Sequence, residues 1–171
     1  VNNQTITVPA NTTELKVMLY WNDPAASMLS PHTLVNDLDL EVTDPSSVVR
    51  LPKILDTSAT GLNAVAVTGV DHINNMEQVS FLNPVPGNYS IRVKGTAINQ
   101  NPSQDYFLVY DLVPQQLQIT SPVGGESWAP SISGLNMMKI SWESNGYTGT
   151  ATIDFSTDNG ASWTTIASSI D

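Results

Sequence analysis

Apolar residues recur at every second position along much of this chain. Leu15, Val17, Leu19 and Trp21 fall on one side of a run whose other side carries Glu14 and Lys16. Tyr89, Ile91 and Val93 alternate in the same way with Ser90, Arg92 and Lys94. A period of two is that of a strand with one face covered. No stretch keeps the 3.6-residue period of a helix, so an all-β chain is predicted. Further strands are predicted at Gln4–Val8, Asp37–Thr43, Ala64–Val67 and Glu77–Leu82. Tyr106–Leu112 is apolar on both faces, which predicts a central strand between two layers. Turn-forming runs separate these segments: Asn22-Asp23-Pro24, Asp44-Pro45-Ser46 and Pro84-Val85-Pro86-Gly87. About eight strands within residues 1–113 predict a two-sheet antiparallel sandwich of the jelly-roll type.

Val113-Pro114-Gln115-Gln116 reads as a linker, and a new pattern follows over residues 114–171. Strands are predicted around Leu117 and Ile119, at Lys139–Trp142, at Ala151–Phe155 and at Trp163–Ala167. An immunoglobulin-like sandwich needs about seven strands and about 100 residues. The second domain is therefore expected to be incomplete at its C-terminal end, with open sheet edges through which chains can pair.

Charge narrows the partners. Sixteen Asp and Glu stand against six Lys and Arg among 171 residues, a net charge of −10, and nucleic acid needs a basic footprint that is missing here. No apolar run approaches the ~18 residues of a membrane-spanning helix. Without cysteine, neither a disulfide nor a thiolate metal site can form. The chain starts at Val1 with no charged-then-apolar leader, which reads as a fragment or mature segment.

Acidity also shapes the candidate chemistry. Asp37 and Asp39 sit two apart in Leu34-Val35-Asn36-Asp37-Leu38-Asp39-Leu40 and so share one strand face, where they repel each other. A second oxygen-rich cluster follows at Asp71-His72-Ile73-Asn74-Asn75-Met76-Glu77. With basic side chains scarce, a hard cation is the natural compensator. Calcium takes about six to eight oxygen ligands, and the expected donors are Asp37, Asp39, Asp71, Asn75 and Glu77, with Asp23 adding a further oxygen. The competing reading makes Asn36, Asn75 and Glu77 buried hydrogen-bonders that tie loops to sheet edges. No nucleophile, base and orienting acid are grouped as a protease requires, and His32 and His72 are expected to be loop residues. A glycosidase pair at Asp37 and Asp39 lacks any neighbouring sugar platform.

Five motifs occur in order: Leu15-Lys16-Val17-Met18-Leu19-Tyr20-Trp21-Asn22-Asp23-Pro24, Leu34–Leu40 as above, Asn74-Asn75-Met76-Glu77-Gln78-Val79, Gly87-Asn88-Tyr89-Ser90-Ile91-Arg92-Val93-Lys94-Gly95 and Gln104-Asp105-Tyr106-Phe107-Leu108-Val109. With them residues 1–113 resemble the β-sandwich that follows the catalytic domain in many secreted bacterial subtilisin-like serine proteases. Ser46-Ser47 departs from the usual glycine after Asp44-Pro45. The resemblance implies a non-catalytic accessory domain that is secreted or displayed on the bacterial cell surface. Its partner would be the protease domain of the same chain, and calcium would add stability.

The tail carries Ser121-Pro122-Val123-Gly124-Gly125-Glu126-Ser127-Trp128, Ile140-Ser141-Trp142 and Ser156-Thr157-Asp158-Asn159-Gly160-Ala161-Ser162-Trp163. It resembles the immunoglobulin-like modules of secreted bacterial enzymes, and its last run fits the Asp-box hairpin, a structural turn. The alternative function is a carbohydrate-binding or adhesion module. That reading calls for exposed aromatics, and Tyr147 and Trp128 are the two expected outside inward strand positions. A structural stalk of a surface protein is a third reading.

Overall fold

Every regular element is a strand in this computed structural model, which describes residues 1–126 and 139–170. The chain divides into two compact units, Val1–Pro114 and Gln115–Asp171. In chain order the first unit contains β1 (Asn2–Val8), β2 (Thr12–Trp21), β3 (Asn36–Thr43), β4 (Val49–Arg50), β5 (Lys53–Ile54), β6 (Val67–Thr68), β7 (Met76–Leu82), β8 (Gly87–Ile98) and β9 (Tyr106–Pro114). The second contains β10 (Gln116–Ser121), β11 (Ser141–Asn145), β12 (Ala151–Phe155) and β13 (Thr164–Ile170).

Two antiparallel sheets build the first unit, one in the order β1-β8-β3-β4 and the other β7-β2-β9; β5 and β6 form a separate ribbon. The alternation read from sequence decides which side chains meet between them. Ile6, Val8, Leu38, Leu40, Val42, Tyr89, Ile91 and Val93 come from the first sheet. Leu15, Val17, Leu19, Trp21 and Val79 come from the second. Each is at most 5 % exposed, and the result is a β-sandwich with one continuous core.

Polar side chains lock the loops onto this core. The Trp21 indole N–H donates to the Asn36 carbonyl at 2.9 Å. Asn36 is fully buried, and its amide group is saturated. Nδ2 donates to the Gln100 carbonyl (2.8 Å) and to Gln104 Oε1 (2.9 Å), while Oδ1 accepts the Asn99 and Gln100 amides, each at 2.9 Å. A buried amide with its donors and acceptor all used costs little to bury and fixes the path of the chain between β8 and β9.

The structure corrects several sequence expectations. β9 is an edge strand, with Phe107 and Val109 exposed on the outer face. Phe107 stacks on Tyr20 across β2 at a centroid distance of 6.3 Å, and Met18 lies opposite Val109. Tyr20, Phe107, Tyr110, Phe155 and Trp163 join Tyr147 among the exposed aromatics, so the expectation that most aromatics point inward was too strict. Trp128 lies outside the described residues. Where a strand was predicted at Ala64–Val67, only Val67–Thr68 is one, paired with Lys53–Ile54. In the second unit the strand expected at Lys139–Trp142 begins at Ser141, and that expected at Trp163–Ala167 runs Thr164–Ile170.

The described part of the second unit is two antiparallel ribbons, β10-β11 and β12-β13. None of its described residues is fully buried, in keeping with the small cover that a two-stranded ribbon gives. The turn before β13 is built as its motif requires. Asp158 accepts the Ser162 amide at 2.8 Å and the Ser162 hydroxyl at 2.6 Å. Gly160 takes φ +88°, and the Trp163 indole donates to the Gly160 carbonyl at 3.1 Å. These bonds hold the Asp158 carboxyl down at about 2, so the turn stays charged well into acid.

Candidate metal centre

Strand parity turns Leu38, Leu40 and Val42 of β3 into the core and Asp37, Asp39 and Glu41 onto the opposite face. The neighbouring strand β8 supplies cations in register, with Lys94 opposite Asp39 and Arg92 opposite Glu41. The ion pairs measure 3.4 Å and 3.1 Å. Thr96 Oγ1 also donates to Asp39 Oδ2, so one Asp39 oxygen is fully engaged. His72, from the loop that precedes β7, closes over the pair. Its Nδ1 lies 2.7 Å from Asp37 Oδ2 and 3.8 Å from Asp39 Oδ1.

Glu77 approaches from the other sheet. On β7 it shares the inward side with Val79 and is 2 % exposed. β4 pairs only with Val42 and Thr43, and beyond that pairing the Leu40 amide donates to Glu77 Oε2 at 2.6 Å. Glu77 therefore bridges the two sheets. Its other oxygen, Oε1, is buried without a hydrogen-bond partner, as are Asp37 Oδ1 and Asp39 Oδ1. Asp39, His72, Glu77, Lys94 and Thr96 line a common pocket of about 250 Å³, walled by Leu51, Pro52 and Val70.

The charges of this cluster work against one another. Burial pushes the Glu77 carboxyl up to about 8; the Leu40 amide opposes that rise, and the negative charges of Asp39, Asp71 and Asp37 add to it. Burial likewise raises Asp37, with His72 opposing and Asp39 and Asp71 contributing repulsion. Buried carboxylate oxygens that lack hydrogen-bond partners are a costly arrangement. A divalent cation would relieve it.

The remaining expected donors hydrogen-bond elsewhere, Asn75 through its amide nitrogen alone. Asp71 Oδ1 accepts the amides of Ile73 and Asn74 at 2.8 and 3.1 Å, and Oδ2 accepts the Asn74 side-chain amide at 2.7 Å. Asp23 accepts the amides of Val35 and Asn36, each at 2.7 Å, and so anchors the start of β3. Asn75 Nδ2 donates to the Trp21 carbonyl at 2.8 Å. Asp39 and Glu77 thus meet at the pocket with His72, which also reaches Asp37, while Asp23 and Asn75 tie backbone. His72 is the donor that residue reading left among loop residues, and its place inside the Asp71–Glu77 cluster was the available signal. Asp23→Ala is expected to lose about 2 kcal/mol, read as a lower urea midpoint that divalent cations or EDTA do not change.

No family model matches the chain. Over 96 residues, 56 % of this chain, it is 32 % identical to the serine protease/ABC transporter B family protein tagA of Dictyostelium discoideum. The chain spans about 5 % of the length of that relative. Among the described residues no helix is long and apolar enough to cross a membrane.

Proposed function

We propose that this chain is a non-catalytic region of a secreted subtilisin-like serine protease, a brace whose first unit, a jelly-roll sandwich, stabilises the catalytic domain. The observation that carries this reading is the ordered set of five motifs along β2, β3, β7, β8 and β9. The 32 % identity to a protein named as a serine protease supports it. His72 Nδ1 faces carboxylates, an arrangement with no activated nucleophile.

The catalytic domain docks, in this reading, on the outer face of the β7-β2-β9 sheet. There Tyr20, Met76, Phe107 and Val109 are exposed, an apolar surface of the kind that marks an interaction site. The second unit acts as an immunoglobulin-like spacer beyond. A divalent cation held by Asp37 and Asp39 tightens the brace, and calcium is the ion that the resemblance implies.

Two measurements test the proposal. The purified chain is expected to hydrolyse no peptide substrate, and hydrolysis that co-purifies with it through successive columns would overturn the accessory reading. In the full protease, Phe107→Glu is expected to shorten the half-life of peptidase activity at elevated temperature severalfold. The same substitution should leave the unfolding free energy of the isolated chain within ~0.5 kcal/mol of the parent, as at other exposed positions. An unchanged half-life removes this face as the docking surface.

A further inference from the structure

We infer that the ion preferred at the Asp37–Asp39–His72 cluster is a borderline divalent cation, zinc, in place of calcium. The inference rests on the cation reading of the same site and sharpens it. Three donor atoms, one each from Asp37, Asp39 and His72, lie within 4.8 Å of one another. Zinc bound to imidazole nitrogen and carboxylate oxygen at about 2.0–2.2 Å sets its donors roughly 3–3.5 Å apart. The His72 Nδ1 separations of 2.7 Å to Asp37 and 3.8 Å to Asp39 straddle that range. The Asp37 and Asp39 oxygens lie within 4.8 Å of each other, and side-chain rotation would bring all three donors to the ion.

Donor chemistry selects the ion. Imidazole suits zinc and its neighbours, whereas calcium and magnesium take oxygen almost alone. Several of the oxygens that a calcium shell would draw on already accept hydrogen bonds. Both Asp23 oxygens and both Asp71 oxygens accept hydrogen bonds, and Asp39 Oδ2 is held by Lys94 and Thr96. Three protein donors are few for a calcium shell of about six to eight, but they suit a tetrahedral ion whose fourth ligand is water.

Glu77 supplies a second, independent observation. Its Oε1 is unpartnered in a side chain that is 2 % exposed, and it lines the pocket shared with Asp39 and His72. A water on the ion would hydrogen-bond to this oxygen and satisfy it. Such outer hydrogen bonds orient the inner ligands of metal sites.

The test is calorimetric titration of the EDTA-treated, dialysed chain with Zn²⁺, Mn²⁺, Ca²⁺ and Mg²⁺ separately, beside His72→Ala and His32→Ala. His72 is half exposed, so its removal should leave the fold intact, and the thermal midpoint without metal verifies this. One Zn²⁺ per chain is expected, bound at least tenfold tighter than Ca²⁺. His72→Ala is expected to weaken Zn²⁺ at least tenfold and to leave Ca²⁺ unchanged, while His32→Ala matches the parent. Cobalt substitution should give visible d–d absorption that His72→Ala loses. Calcium binding tighter than zinc, or zinc binding unchanged in His72→Ala, overturns the zinc assignment and leaves the cation reading standing. No saturable heat with any of the four ions overturns both, and the protease-brace reading is then judged on its own docking test.

Discussion

Glu77→Gln is expected to stabilise the chain at pH 8 in EDTA, by on the order of 3–4 kcal/mol. A substitution of a fully buried residue that stabilises is unusual, and the reason is charge. The folded state holds the Glu77 proton until about pH 8, whereas a free glutamate releases it near 4.5. Between those values the folded chain binds more protons than the unfolded one, so stability is complete below about pH 4.5 and falls as pH rises through about 8. Glutamine removes the titration while Oε1 of its amide can still accept the Leu40 N–H. Urea midpoints from pH 4.5 to 8.5 should therefore slope downward in the parent and flatten in the variant over this range. A parent that gains stability from pH 5 to 8 without metal would show that Glu77 is ionised and compensated, contrary to this account.

Asn36→Leu acts in the opposite direction and on a comparable scale. The two side chains are similar in size, so the cost is polar. Four hydrogen bonds are lost, and the amides of Asn99 and Gln100 and the Gln100 carbonyl are left in place without their partner. Stranded groups cost about 1–3 kcal/mol each when buried, and Asn99 and Gln100 are exposed residues, which puts each at the lower end. Since part of the loop can rotate toward water, a net loss on the order of 4 kcal/mol is expected. Hydrogen exchange should distinguish this from general loosening, because the Asn99 and Gln100 amides become fast while those within β2 keep their protection relative to global unfolding. A midpoint within 1 kcal/mol of the parent would mean that Asn36 does not fix this loop.

The elements that alternation made legible are those with one face in the core. β2, β3 and β8 were readable because Leu15–Trp21, Leu38–Val42 and Tyr89–Val93 each set apolar residues two apart. The same parity put Asp37 and Asp39 on one face and Glu77 on the side of Val79. β9 was misplaced because apolarity on both faces was equated with cover on both faces. Phe107 and Val109 instead stand exposed on a sheet edge. β4, β5 and β6 have two residues each, too few for any period to register. His72 escaped for a related reason: a loop has no parity, so which way its imidazole turns depends on how the chain closes over β3. Composition shows the Asp23 carboxylate but not the backbone amides that reach it. Those amides belong to residues more than ten positions away, and only the folded path brings them near.

The stack of Tyr20 on Phe107, with Met18 opposite Val109, has a consequence for the chain in bulk solution. Water around such side chains is released when two copies meet, and near room temperature that gain is almost wholly entropic. Crowded samples should therefore scatter more light on gentle warming and on adding sulfate, and clear again on cooling or in dilute urea. Turbidity that grows in the cold instead would point to polar forces as the cause of clustering.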